Sequence, residues 1–331
     1  MLKNTLLGII LTVFSLFSAC AEECVGFPLN ASGGKAYYTE MAADVDWRTS
    51  AIWATRIVTK TLKLATQNLW GKETSTVIDY FNKIDVDVLC AQECSKLSEA
   101  EIKAQGLYIH THSNNGQGKC SIISRYPFLG ITPNKYGVYI NLGKGIVVLV
   151  MNCHGAFYPY GPYQLNGIEY KGFLPTTDVN YVIKVNKEAR QAMVDRLLED
   201  LASATTPFVS LSGDFNEPSW LDSTVDAQSA GIVPYVVQWP TTRLLWEGGI
   251  KGDAYRTIHS NPVIHPGYTW TPFPSMKDTR DRLDLTLYTL SPNTTVKNSQ
   301  IIGEDTSTSD ITLSPWIFDH RGLRTEFVYT R

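Results

Sequence analysis

The run PFVSLSGDFN at residues 207–216 is apolar or small until it ends abruptly in a carboxylate and an amide, Asp214 and Asn216. A near-continuous apolar run of strand length reads as a strand covered on both faces. A core does not tolerate an unpartnered acid at its end. The pattern recurs outward from this stretch. LATQN at 64–68 ends in Asn68, VDVLCAQE at 86–93 in Glu93, VVLVMNCH at 147–154 in His154, and RLDLTLY at 282–288 carries Asp284 near its start. Strand-like runs are predicted at 61–68, 86–93, 118–124, 146–154, 208–216, 282–290 and 323–330. Helical spacing appears at 76–84, through Val77, Ile78, Phe81 and Ile84, and at 187–202, through Ala189, Met193, Leu197, Leu198 and Leu201. A third helix is predicted from Ser98, where Glu101 completes a capping box. Strands alternating with helices would fit a doubly wound parallel sheet. The helix-free strand runs between 118 and 154 and after 268 instead favour an α+β fold. This is a four-layer α/β/β/α sandwich, two mixed β-sheets face to face with helices on the outer faces.

At 44% hydrophobic and 18% charged residues, the chain has an ordinary globular composition, and its net charge of -3 supplies no general attraction to polyphosphate. Residues 1–21 read as a signal peptide, with Lys3 ahead of an apolar stretch and small residues after it. Ala19-Cys20-Ala21 fits cleavage after Ala21, whereas Ser18-Ala19-Cys20 is similar to a lipoprotein box; Phe17 stands where that box prefers leucine, which favours soluble secreted or periplasmic export. Residues 22–58 show no period and read as an irregular N-terminal arm, followed by one catalytic domain at 59–331. Either processing leaves Cys24, Cys90, Cys94, Cys120 and Cys153, an odd number in a compartment that permits disulfides. The Cys90/Cys94 spacing has no matching pair, so buried thiols are expected rather than a zinc site.

Burying strand-end acids and amides without partners costs several kcal/mol each, roughly, so a cluster of them is expected to bind a hard cation. Any one alone would be a loop cap. Oxygen-rich donors select Mg2+, or Mn2+ or Ca2+, over zinc, and such ions neutralise a phosphate ester.

Seven short motifs carry a family resemblance: Gln67-Asn68-Leu69-Trp70, Ala91-Gln92-Glu93, Ser124-Arg125-Tyr126-Pro127, Asn152-Cys153-His154, Ser212-Gly213-Asp214-Phe215-Asn216, Asp281-Arg282-Leu283-Asp284 and Asp319-His320. In this order the chain resembles the endonuclease/exonuclease/phosphatase superfamily, which includes deoxyribonucleases, abasic-site endonucleases, sphingomyelinases and inositol-phosphate phosphatases. Glu217-Pro218-Ser219 is similar to a secreted bacterial branch. The resemblance implies that Glu93 is the principal metal ligand, assisted by Asn68 and Asp319. It implies that Asp214 positions or activates the attacking water, that Asn216 holds the phosphate, and that Asp284 orients His320. His320 is then either a base or a charged phosphate clamp, and His154 donates to the phosphate or leaving oxygen. The implied reaction is in-line attack of water on a phosphomonoester or phosphodiester.

Departures narrow the substrate. Trp70 stands where abasic-site enzymes carry an acid, Cys94-Ser95-Lys96 lacks the arginine of deoxyribonucleases, and Phe318 replaces a small hydroxyl residue. A small or lipid-derived ester is therefore favoured; a secreted nuclease acting on nucleic acid is the alternative, and a catalytically silent envelope binding protein a third reading. Membrane contact is expected only if Cys20 is lipidated or the substrate is a lipid, and oligomeric state is left open. The segment 155–181 follows His154 and is expected at the rim of the site, where Phe157, Tyr158, Tyr160, Tyr163, Tyr170, Phe173 and Tyr181 either stack on a ring or pack a loop. Arg125 is expected to pin a turn, and His110, His112, His259 and His265 are assigned no role.

Overall fold

Alternation decides how the first strand sits. In the computed structural model, which describes residues 57–113, 118–272 and 279–331, β1 (Thr59–Asn68) turns Leu62 and Leu64 to one buried side and Ala65 to the other. β2 (Val88–Gln92) likewise sets Val88 and Cys90 against Leu89 and Ala91. Strands apolar on both faces need a cover on each. With β3 (Tyr108–Ser113), β4 (Lys119–Ser124), β11 (Thr294–Gly303), β12 (Ile311–Thr312) and β13 (Gly322–Thr330), they form a sheet of order β12-β11-β13-β1-β2-β4-β3. A second sheet, of order β5-β6-β7-β8-β10-β9, joins β5 (Phe128–Ile131), β6 (Gly137–Asn141), β7 (Val147–His154), β8 (Val209–Asp214), β9 (Gly252–Asp253) and β10 (Asp284–Tyr288). Both are mixed, because β1 runs parallel to β2 and β7 to β8 while their other neighbours are antiparallel.

The inner faces meet through Leu62, Leu64, Val88, Cys90 and Ile122 on one side and Val138, Ile140, Val148 and Val150 on the other. Outside the first sheet, α1 (Thr74–Lys83) and α2 (Glu99–Ala104) cover Ala65, Leu89 and Ala91 with Val77, Phe81 and Ile102. Outside the second, α4 (Val179–Ala202) lays Met193, Val194 and Leu197 on Leu149, Met151 and Leu211. The short helices α3 (Gly161–Leu165), α5 (Val225–Ser229), α6 (Pro240–Glu247) and α7 (Ala254–Ile258) lie in the connections. The observed architecture is the expected α/β/β/α sandwich. Among the described residues, no helix is long and apolar enough to cross a membrane.

The start of α4 differs from the sequence reading. The helix expected at 187–202 begins eight residues earlier because Asp178 caps it, its carboxylate accepting from Tyr181 N at 3.0 Å. Cys90, Cys94, Cys120 and Cys153 are buried free thiols, pushed up by burial, with Cys94 at about 11, so none is poised as a nucleophile. The segment read as a signal peptide, Cys20, Cys24 and the segment read as an arm, up to residue 56, lie outside the described residues. Val58 and Arg331 exchange backbone hydrogen bonds.

His112, on β3, is buried against Tyr136 with ring centroids 5.1 Å apart and lies 5.8 Å from His110. Burial first, and then His110, pull its pKa down to about 4. Between the unfolded value near 6.5 and that folded value, the unfolded chain takes up a proton that the folded chain refuses. Stability is therefore lost as pH falls through this window, by up to about 3 kcal/mol. Urea unfolding of wild type and His112→Phe at pH 7 and pH 4.5 checks this; the variant should lose less, and equal losses would refute the assignment.

Candidate active site

Strand register brings the polar ends together. Asn68 ends β1 opposite Gln92 of the parallel β2, and Glu93 follows at once. His154 ends β7 opposite Asp214, and Asp214 is also registered against Asp284 at the start of the antiparallel β10. His320 precedes β13, which runs antiparallel to β1. The two sheets thus deliver six side chains to one edge. Gly155 makes the approach close enough: its N–H donates to Asp214 O at 2.8 Å, and a Cβ there would meet Phe215 O at 2.0 Å. Trp70, Glu93 and Asn216 hold φ near +47°, +50° and +48°, a conformation that L side chains keep only where the surroundings impose it.

Asp214 is the hub. Its Oδ1 accepts from Asn216 N at 2.8 Å, and its Oδ2 accepts from Asn68 Nδ2 at 3.1 Å and Asn216 Nδ2 at 3.4 Å. His154 Nε2 and His320 Nε2 stand 3.5 and 3.7 Å from the same oxygen. Burial pushes this carboxyl up, but His320, His154 and Asn68 outweigh it and hold it well below the usual carboxylate range. His320 Nδ1 bonds Asp284 Oδ2 at 2.9 Å. Burial pulls His320 down, yet Asp284 and Asp214 prevail and bring it to about 10. Burial raises Asp284 to about 6 against the pull of the imidazolium, with Asp214 adding to the push. Two carboxylates facing one ring keep that ring protonated at neutral pH.

The described His, Cys, Asp and Glu groups whose ligand atoms lie within 4.8 Å of one another include Asp214, Asp284 and His320. Since Nδ1 is already hydrogen-bonded to Asp284, this trio is an ion-pair relay rather than a cage. Glu93 and Asp319 fit a cation better. The Oδ1 of Asp319 is buried without a hydrogen-bond partner; burial, and then Glu93 and Asp214, raise its pKa although His320 lowers it; and Glu93 keeps 41% of its side chain exposed. An orphaned buried carboxylate oxygen beside a second, part-exposed carboxylate is a donor set that fits a hard cation. The Asn68 oxygen accepts from Trp70 N at 3.0 Å, and its nitrogen donates to Glu93 Oε1 at 3.2 Å and to Asp214. Its amide nitrogen thus bridges the two carboxylates.

A cavity of about 240 Å3 opens on these groups, lined by the polar Glu93, Asp214, Asn216, Asp319 and His320 and by the aromatic or apolar Phe157, Tyr160, Tyr163, Tyr170, Trp270 and Leu283. A larger cavity of about 330 Å3 beside Tyr255 and Arg321 holds none of the strand-end residues. The aromatic insertion thus divides: Phe157, Tyr160, Tyr163 and Tyr170 reach the cavity wall, while Tyr158 and Tyr181 are exposed outside it. Tyr160 donates to Asp281 Oδ2 at 2.6 Å, and the Trp270 ring lies 4.8 Å from that of His320. Phe318 has a packing role, 4.9 Å from Tyr80 and 5.3 Å from Trp316. Arg125 pins its turn through Val86 O at 2.9 Å and Asn82 Oδ1 at 3.1 Å. His110 and His259 bond the carbonyls of Lys135 and Ser299, away from the cavity. Arg190, to which the sequence drew no attention, is fully buried behind the site.

Comparison with known proteins agrees with this fold. Uncharacterized protein F14F9.5 of Caenorhabditis elegans is 22% identical over 250 residues, 69% of this chain and 78% of that protein. The structure of the 3'-5' exonuclease NExo from Neisseria meningitidis superposes with a TM-score of 0.51 at 18% identity, covering 80% of this chain and 99% of that one. That of the 3' phosphatase NExo from Neisseria, bound to product DNA hairpin, gives 0.50 at 17%, with the same coverage. At these identities the likeness is one of fold. The sequence model of the Endonuclease/Exonuclease/phosphatase family matches residues 65–310, and the chain belongs to that family.

Proposed function

We propose that the protein is an exported, divalent-cation-dependent hydrolase of phosphate esters, with a small or lipid-derived ester as substrate. The observation that carries this reading is the convergence of Glu93, Asp319, Asp214, Asn216 and His320 on one cavity, with His154 against Asp214 and Asp284 against His320 behind its lining. Glu93 and Asp319 would hold the cation, Mg2+ by donor type, and the ion supplies charge neutralisation at the phosphoryl oxygens. Asp214, surrounded by donors, is a poor proton acceptor. It orients the attacking water by accepting its hydrogen bond. His320, charged at neutral pH, acts as the phosphate clamp rather than as the base, and Asn216 and His154 present N–H groups to the same phosphate. The aromatic wall receives the esterified group. Export rests on residues 1–21 and on the composition of that segment.

The test is hydrolysis of bis-p-nitrophenyl phosphate, p-nitrophenyl phosphate, plasmid DNA, sphingomyelin and inositol phosphates by the purified protein, with magnesium and with chelator. Chelator-sensitive turnover is expected, and Glu93→Ala should raise the half-saturating magnesium concentration by roughly tenfold or more. Preference for plasmid DNA would favour a nuclease. Silence on every ester under every metal would leave a binding protein.

A further inference from the structure

Arg190 lies on α4 between the buried Asn186 and the apolar Met193, Val194 and Leu197, and its side chain is 1% exposed. A buried arginine must find acceptors for all its donors. Arg190 finds them in the two loops that leave the catalytic strand ends. Nη2 donates to Ala156 O at 2.5 Å and to Pro159 O at 3.2 Å, just after His154 and Gly155. The same nitrogen donates to Asn216 O at 2.6 Å, and Nε to Phe215 O at 3.4 Å, just after Asp214. Nη1 donates to Asn186 Oδ1 at 2.9 Å, one turn earlier on the helix, which fixes the plane of the fork. Glu217 Oε1 stands 4.0 Å away as the nearby countercharge. The group does not line the cavity, so it cannot touch the substrate.

We propose that Arg190 is a positioning residue for the hydrolysis: its planar fork, oriented by Asn186, sets the spacing of the loop carrying His154 against the loop carrying Asp214 and Asn216. The inference rests on the hydrolase reading of the site. The alternative is a staple that holds the fold and nothing more. Two features favour positioning. Asn216 sits at φ +48°, a conformation that persists only when over-determined, and the Arg190 bond to its carbonyl is among the shortest that the guanidinium makes. The guanidinium also joins the two loops to each other, where a staple for the helix alone would need only one of them. Lysine has no planar fork and cannot serve both loops with fixed geometry.

Arg190→Ala, Arg190→Lys and Asn186→Leu, assayed beside wild type, test this. For Arg190→Ala, kcat should fall about 100-fold, as expected when reacting groups move by about 1 Å, while KM and the half-saturating magnesium concentration stay within about twofold. Millimolar guanidinium should restore kcat at least tenfold, and equal methylammonium should not; Arg190→Lys should recover little. Asn186→Leu should lower kcat by more than its loss of folded fraction accounts for, and it decides the matter if Arg190→Ala does not fold. A loss that merely tracks the folded fraction, or an Asn186→Leu kcat equal to wild type, overturns the proposal. Hydrogen exchange at the Gly155 and Asn216 amides reads the clamp without substrate. Faster exchange confined to those two loops in Asn186→Leu is expected, and unchanged exchange overturns the proposal whatever turnover shows. A wild-type protein inert to every ester would instead count against the hydrolase reading.

Discussion

Asp284→Asn is expected to lower turnover by roughly 10³- to 10⁴-fold, the scale of loss when an imidazole loses the carboxylate that fixes its tautomer. Asp284 is fully buried, and its only strong side-chain partner among the described residues is His320 Nδ1 at 2.9 Å. The substitution keeps the volume and the backbone bond from Asp284 N to Thr269 Oγ1 at 3.0 Å, so the strand should stay in place. The charge is what changes. Burial alone would drive His320 down; Asp284 and Asp214 are what bring it to about 10. With one of them neutral, the ring should titrate at a markedly lower pH and cease to be a permanent phosphate clamp. A linked effect on stability has a definite sign. A folded pKa near 10 lies above the unfolded value near 6.5, so the contribution of His320 is fully present below about pH 6.5 and is lost as pH rises through 10. The variant should show a flatter loss over that interval. Imidazole titration by NMR in chelator-treated protein, run beside kcat, checks both halves. A variant that keeps its turnover within tenfold, or whose His320 titrates as in wild type, would remove Asp284 from the mechanism.

The strand ends were legible because each pairs a long apolar run with one residue that a core refuses. Asp214, Glu93 and His154 stood out on those grounds, and parallel pairing of β1 with β2 and of β7 with β8 then placed them side by side. Two strands toward the sheet margins were not legible. β11 reads TTVKNSQIIG and breaks its alternation with a bulge between Val296 and Asn298, while β5 is half exposed with a shift between Phe128 and Gly130. Period-two reasoning needs one uninterrupted face, and neither strand has it. Arg190 was missed for a related reason. It occupies the same helical stripe as Met193, Val194 and Leu197, and a single arginine there looks like the end of the apolar face until the carbonyls around it are known. The orientation of Asn68 is likewise beyond the sequence, since an amide offers an oxygen and a nitrogen and only the position of Trp70 N decides between them.

Arg282→Met is expected to destabilise the fold by about 3–5 kcal/mol, because it strands buried carboxylates rather than merely deleting an ion pair. Arg282 is 2% exposed and donates from Nη1 and Nη2 to Asp253 at 3.0 and 2.7 Å, and from Nε and Nη2 to Asp222 at 3.1 and 2.9 Å. Arg256 also donates to Asp222 at 2.8 Å, so that carboxylate keeps a partner in the variant. Asp253 has the larger exposure to loss. Burial alone would raise its carboxyl, and Arg282 is the leading group that holds it below its ordinary value. In wild type that depressed pKa contributes stability above about pH 3.9, lost as pH falls through the folded value. Without Arg282 burial wins, the carboxyl rises, and the sign reverses: protonation now relieves the variant, so its deficit should shrink on going from pH 7 to pH 4.5. A second substitution, Asp253→Asn, should recover part of the loss at pH 7, since it removes the stranded charge. Turnover should fall as well, because Arg282 stands two residues before Asp284 and ties the start of β10 to Asp253 of β9 and to the loop carrying Asp222. Urea unfolding of the single and double variants at both pH values measures each step. A deficit that is independent of pH, or a double variant no more stable than Arg282→Met, would show that lost packing rather than stranded charge sets the cost.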